Sequence, residues 1–245
     1  MKTIAVFGAT SAIASACARS WAGEGVKFFL VARDADKLGQ VRDDLAVRGD
    51  KVDTFVLDLN DVDGHEGMLD ACCEALGHVD VTLVAQGTLP DQEKCESDAR
   101  LAAQEFTNNG LSIIALLTAL AERMEPQGSG CITVISSVAG NRGRSSNYVY
   151  GAAKAAVTAF CSGLRQRLCA SGVHVLTVKP GFVDTPMTQG LPLPRLLLAS
   201  PERVANDITK AVERKRNTLY TPWFWRPIML VIALIPEFVF KRLNL

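Results

Sequence analysis

The sequence has no surplus of either charge. Its 26 lysines and arginines balance 26 aspartates and glutamates, so it lacks the basic footprint of a nucleic-acid binder. It also lacks a long apolar run. The uninterrupted stretch from Ile228 to Ile235 is eight residues, whereas a spanning helix needs about 20, and a transmembrane helix is excluded there. Histidine is scarce: His65, His78 and His174 show no metal-ligand spacing, so no metal site is expected. The seven cysteines are odd in number and include no C-x-x-C pair, which points to a reduced, cytoplasmic compartment. Met1-Lys2-Thr3 leads straight into the short run Ile4-Ala5-Val6-Phe7 and then Gly8, without the long apolar region of a secretion signal. No internal repeat or low-complexity tract is seen.

What is present is an alternation of strand and helix patterns over 245 residues, 48% of them hydrophobic. Val-, Ile-, Leu- and Phe-rich runs predict strands at 3–7, 27–32, 54–57, 81–85, 131–136, 174–179 and 218–220. Helical spacing fills the intervals, for example 12–22 and 36–48, with Asp34 and Asn147 as N-caps. Continuous apolar strands suit a parallel sheet buried on both faces. The expectation is one α/β domain over 1–222, a Rossmann-like doubly wound, mostly parallel sheet of about seven strands with helices on both faces. In that architecture ligands bind beyond the carboxyl ends of the strands.

The first strand runs into Gly8-Ala9-Thr10-Ser11-Ala12-Ile13-Ala14. A strand, a tight turn and a helix N-terminus make a pyrophosphate site, because the first helical amides and the positive dipole end face the anion. Glycines usually serve in such a turn; here Gly8 remains, and Ala12 and Ala14 take the later small positions. Gly8, Thr10, Ser11, Ala12 and Ile13 are therefore candidate cofactor contacts. The second strand ends in Val31-Ala32-Arg33, with no acidic residue to bind ribose hydroxyls and with a cation where a 2′-phosphate would lie. That favours NADPH/NADP+ over NADH. Asp58 and Leu59 follow the third strand, within reach of an adenine edge, and Gly87 after the fourth lets the backbone approach the cofactor.

Tyr150 and Lys154 sit four apart at the start of a helical stretch, on one helix face. A phenol with an ordinary pKa of about 10 needs help to move protons near neutrality. A nearby ammonium lowers that value, and the same lysine can hold the nicotinamide ribose. Ser137, rather than Ser136, would orient a substrate carbonyl beside the tyrosine. Asn109 would hold a water linking Lys154 to solvent. With the Gly8 turn, Asp58, Gly87 and Pro180-Gly181-Phe182-Val183-Asp184-Thr185, the chain resembles the short-chain dehydrogenase/reductase family over almost its whole length. The resemblance implies that Asn109, Ser137, Tyr150 and Lys154 are catalytic. It places Pro180, Gly181 and Val183 beside the nicotinamide, with Thr185 reaching its amide, and it implies a homodimer or homotetramer. The sequence departs from the family at Ala12, at Ala14 and in Val84-Ala85-Gln86-Gly87, where the family has Asn-Asn-Ala-Gly.

Gly140-Asn141-Arg142-Gly143-Arg144, the approach Asn147-Tyr148-Val149-Tyr150 and the Trp-Arg-Pro ending are similar to a subgroup, the reductase subunits of decaprenylphosphoryl-ribose 2-epimerase. That implies a polyprenyl-phosphate-linked keto-sugar as substrate; a soluble ketone is the rival. The segment 186–200 is the expected substrate lid, its leucines covering an apolar chain while Arg142, Arg144 or Arg195 meets a phosphate, or else packing on the domain with the arginines in water. From 223 to 245 lies an apolar extension with flanking cations. It suits a membrane interface, at the inner face of the membrane, or an oligomer contact, or a cover over the site. A nucleotide-sensing protein or a membrane scaffold without catalysis are the readings of another class.

Overall fold

The computed structural model describes residues 2–48, 51–192 and 194–243. Met1, Gly49, Asp50, Leu193 of the expected lid, and Asn244 and Leu245 of the expected extension lie outside the described residues. Strands β1 (Thr3–Phe7), β2 (Lys27–Ala32), β3 (Lys51–Val56), β4 (Val81–Val84), β5 (Cys131–Ile135), β6 (His174–Pro180) and β9 (Thr218–Thr221) form one sheet in the order β3-β2-β1-β4-β5-β6-β9. Every pairing in it is parallel, so the expected "mostly parallel" sheet is wholly so. A further parallel pair, β7 (Phe182–Val183) with β8 (Leu198–Ala199), was not legible from the sequence. Two residues per strand are too few for any periodic signal.

The alternation of β1 explains the layering. Ile4 and Val6 point to one face and Ala5 and Phe7 to the other, all four fully buried. The first face packs against α1 (Ala12–Trp21), α2 (Ala35–Ala46) and α8 (Pro201–Glu213). The second packs against α3 (His65–Leu76), α6 (Ser112–Met124) and α7 (Tyr148–Leu168). Two short helices, α4 (Gln92–Ser97) and α5 (Ala99–Phe106), precede α6, and a single π turn at Thr107–Leu111 joins α5 to it. β3 begins at Lys51 rather than 54: it is an edge strand with exposed Lys51 and half-buried Asp53, which an apolar-run criterion discards. Asp34 caps α2 as expected, accepting from the Lys37 amide at 3.0 Å.

The C-terminal segment folds onto this body as α9 (Trp225–Leu234) and α10 (Glu237–Phe240). Trp225 and Met229 are buried against Val138, Phe182 and Tyr220. Trp225 meets Phe182 edge-on at 5.0 Å between centroids and lies against Gly181 so closely that a Cβ there would run into its indole. Arg142 fixes the far end of α9. Its guanidinium donates to the carbonyls of Ile232 (2.7 Å) and Ile235 (2.6 Å) and to Glu237 (2.8 Å) and stacks on Phe240. The arginine thereby caps the carbonyls that the helix end leaves without partners.

Two glycines separate crowding from propensity. Gly181→Ala overpacks the Trp225 contact and is expected to cost about 1–3 kcal/mol. Gly163, exposed in mid-α7 with nothing within 4 Å of a built Cβ, should gain about 0.5–1 kcal/mol as alanine. Thermal or urea unfolding of both variants reads the opposite signs.

Candidate active site

The strand order reverses between β1 and β4, and a cavity of about 1010 Å³ opens beyond their carboxyl ends. Gly8 makes the turn possible. Its φ is +81°, and a Cβ would fall 2.8 Å from the Gln86 amide nitrogen of the neighbouring strand end. Gly8, Thr10, Ser11, Ala12, Ile13, Arg33, Asp58, Leu59, Gly87, Ser137, Tyr150, Lys154, Pro180, Gly181, Val183 and Thr185 all line this one cavity. Asn109 does not: it is fully buried behind the wall.

The donor set fits a nicotinamide dinucleotide. The first-turn amides of α1 have no helical acceptors and face the cavity at Ala12 and Ile13, while the Ser11 hydroxyl accepts from the Ala14 amide at 3.5 Å. The two departures from the glycine pattern are unequal. Ala14 is fully buried in the core beneath the turn, so its methyl packs on the sheet, and of the two Ala12 alone adds a methyl to the lining. At the other end of this stretch, Arg33 is an exposed rim residue whose nearest carboxylate, Asp58, stands 3.9 Å away. That exposed pair is weak and leaves the guanidinium available to an incoming phosphate.

The catalytic candidates converge because β5 and α7 are held together. Ser136, at the end of β5, donates to the Lys154 carbonyl (3.0 Å) and pairs with the Thr158 hydroxyl (2.7 Å). It is structural, which leaves Ser137 to face the cavity. Ser137 caps the short 3-10 turn Val138–Asn141, accepting from the Ala139 amide at 3.1 Å, and hydrogen-bonds to Tyr150. Burial pushes Tyr150 up to about 12, and the opposing influence is that Ser137 bond. Burial also pulls Lys154 down to about 8. Its Nζ lies 5.7 Å from the Tyr150 ring centroid and donates to the Ile135 carbonyl at 3.3 Å. The expectation that Lys154 lowers Tyr150 is thereby corrected: burial raises the phenol, and the lysine is not among the influences that oppose it.

The Asn109 side chain turns into the fold. Its Oδ1 accepts the Thr88 amide (2.9 Å), and its Nδ2 donates to the Thr88 hydroxyl (3.1 Å) and the Glu105 carbonyl (3.1 Å). Thr88 in turn donates to Glu105 at 2.6 Å. The Asn109 amide is committed within the fold and packs close to Gly87, where a Cβ would fall 2.9 Å from Asn109 Oδ1 and 3.4 Å from Lys154 Nζ. Sequence reasoning missed Glu105, although it lies one helical turn before Asn109. Asn147 occupies the N-cap of α7 without making a cap bond. Gln92 from α4 supplies the acceptor for the Val149 amide at 3.2 Å, a long-range contact no local pattern reveals.

Of the three arginines expected to meet a substrate phosphate, Arg142 is committed to the C-cap of α9, and Arg195 is exposed away from the cavity lining. Arg144 lines the cavity, half-buried, its Nε without an acceptor and its pKa lowered by desolvation. Among the described residues no histidine, cysteine and carboxylate cluster has metal-binding geometry, and no helix is long and apolar enough to cross a membrane.

The family model of the short chain dehydrogenases matches residues 2–194. An uncharacterized oxidoreductase of Mycobacterium tuberculosis is 36% identical over 241 residues, covering 98% of this chain and 96% of that one. Another, from Streptomyces coelicolor, is 32% identical over 246 residues, covering 99% and 96%. Among solved structures, the actinorhodin polyketide ketoreductase with NADPH superposes with a TM-score of 0.80 at 23% identity, over 90% of this chain and 95% of that one, a likeness of fold. Both relatives are described as oxidoreductases and not as the epimerase reductase subunit, which corrects the finer resemblance drawn from the sequence to the family itself.

The depressed Lys154 has a measurable consequence. Between about 8 and the ordinary 10.5, the unfolded protein holds a proton that the folded protein has released, so Lys154 destabilises the fold less as pH rises through that window. The stability of the wild type relative to Lys154→Met should therefore climb from pH 8 to pH 10.5 and stay flat below pH 8. Urea midpoints at a series of pH values read it, and a flat difference throughout would rule out the lowered value.

Proposed function

The protein belongs to the short-chain dehydrogenase family, an NAD(P)-dependent oxidoreductase acting on CH–OH groups, and within that class we propose that it is an NADPH-dependent carbonyl reductase. The observation that carries this is the convergence of Ser137, Tyr150 and Lys154 on the wall of the same cavity that the Gly8 turn lines. A reduction needs a proton donor at the carbonyl oxygen, and a phenol pushed up to about 12 stays protonated at neutral pH.

The chemistry a reduced nicotinamide supplies when bound is hydride transfer to a carbonyl carbon. The protein's part is to orient and protonate. Ser137 holds the carbonyl oxygen through its hydroxyl. Tyr150 gives that oxygen its proton. Lys154 adds a positive charge that favours the phenolate left behind and is placed to hold a ribose hydroxyl. Asn109 is a positioning residue that keeps Gly87 and the lysine in register through Thr88 and Glu105. Arg33 takes the 2′-phosphate, and the amides of Ala12 and Ile13 take the pyrophosphate.

For the substrate, our reading is a carbonyl compound with an anionic group and an apolar body, of which a polyprenyl-phosphate-linked keto-sugar is one example. Arg144 supports it as a half-buried cation with no carboxylate within 4.0 Å among the described residues. Leu89, Val138, Phe182 and Leu191 give the same cavity an apolar wall. Self-association as a homodimer or homotetramer rests on the family resemblance and is read by light scattering.

Tyr150→Phe should lower turnover by about 10²–10⁴-fold while NADPH binding, followed by fluorescence titration, is retained. Normal turnover would end the assignment. Arg33→Ala should weaken NADPH about tenfold or more and leave NADH nearly unchanged; equal losses for the two cofactors would remove the 2′-phosphate role. Arg144→Gln should raise KM for keto-phosphates and spare their uncharged analogues, and an enzyme that prefers simple ketones favours the soluble-ketone reading.

A further inference from the structure

Apart from Arg226, α9 is apolar, yet it buries only one side. Trp225 and Met229 face the body, while Trp223, Leu230, Val231, Leu234 and Phe238 are between 61% and 73% exposed. Leu230 and Leu234 lie one turn apart on the outer side of α9 with Val231 beside them, Trp223 stands just before that helix and Phe238 on α10, so the stripe runs along the C-terminal segment. Arg142 holds α9 and the start of α10 in place from behind, which gives the stripe a defined surface. Contiguous exposed apolar side chains of this size mark a contact.

A second cavity, of about 720 Å³, opens on the same side and shares Trp223 and Leu230 with the stripe. Lys179, Arg216 and Arg226 line it, and no aspartate or glutamate does. Lys179 is 8% exposed. Its ammonium donates to Asn141 Oδ1 at 2.7 Å and lies 5.5 Å over the Tyr220 ring. None of the three cations has a carboxylate partner within 4.0 Å among the described residues. A buried ammonium answered by one amide oxygen and a ring is under-compensated. Lys241 and Arg242 add exposed cations just past α10, and the acid of that helix, Glu237, is tied to Arg142.

We propose that the α9–α10 face docks on an anionic lipid surface, with a phospholipid headgroup phosphate seated among Lys179, Arg216 and Arg226 and the apolar stripe among the upper acyl chains. The chemistry is complementary at both depths: cations at headgroup level, and aromatic and leucine side chains beneath. A second copy of the protein would bring the same three cations against themselves across a two-fold contact and leave them uncompensated.

The test is flotation of the full-length protein with vesicles of phosphatidylcholine alone and of phosphatidylcholine with phosphatidylglycerol. Binding should need the anionic lipid. Arg216→Gln with Arg226→Gln should weaken it about fivefold per charge removed. Leu230→Gln with Leu234→Gln and Phe238→Gln should abolish it. All five positions are exposed, and circular dichroism verifies their fold. Absence of flotation with anionic vesicles, or equal flotation of the Arg216/Arg226 variant, overturns the proposal. So does a concentration-dependent dimer, seen by light scattering, that the apolar variant abolishes, since this assigns the face to a second copy. The readout uses neither substrate nor turnover, so it stands apart from the reductase reading.

Discussion

The geometry of the site depends on how closely the 3-10 turn after β5 approaches α7. At Gly140 a Cβ would fall 2.7 Å from the Ala155 amide nitrogen, and at Gly151 one would fall 3.0 Å from the Ala139 carbonyl. Backbone thus packs on backbone at both positions. Ser136 ties the two segments by donating to the Lys154 carbonyl. Ser137, one residue on, has its position set by the cap it makes on that turn, and Tyr150 and Lys154 project from the facing helix. A larger residue at Gly140 or Gly151 would separate Tyr150 from Ser137 without replacing either.

That closeness also sets the electrostatics. Lys154 is 2% exposed and is answered within hydrogen-bond range by a carbonyl. Its charge is costly in the folded state, and the burial that lowers it raises the tyrosine. The two shifts leave a protonated phenol beside an ammonium, the combination suited to giving a proton away and tolerating the anion that remains. Asn109 serves the same end from behind. By consuming its amide on Thr88 and Glu105, it holds Gly87 where no side chain would fit between it and the lysine.

The layered α/β fold was legible because β1, β2 and the strands between them and β6 are buried on both faces and read as apolar runs. The edge strand β3 and the two-residue pair β7–β8 were not, since half-exposed or very short strands leave no such run. Ser137, Tyr150 and Lys154 were legible because each sits at a fixed offset from a strand end or helix start. Two kinds of misreading share one cause. Asn109 was expected to hold a water between Lys154 and solvent, and its side chain lies behind the cavity; Arg142 was offered to a substrate and is spent on α9 carbonyls. Both errors concern which way a residue faces across a long-range contact, and spacing in the sequence holds no information on that. Ala14 shows the converse: it departs from the family's glycine, and its methyl is buried in the core rather than in the cavity.

The C-terminal helix is the place where site and surface meet. The 3-10 turn that begins at Ser137 ends at Asn141, whose amide donates to the Tyr220 hydroxyl at 2.9 Å and whose oxygen accepts from Lys179. The next residue, Arg142, caps α9, and Trp225 of that helix presses on Gly181 at the cavity wall. The outer helix thus contacts the segments on both sides of Ser137. A helix whose function was merely to cover the core would need an apolar inner face and a polar outer one. The outer face of α9 carries Leu230, Val231 and Leu234 beside the single cation Arg226, so it is shaped by something other than the stability of the isolated protein.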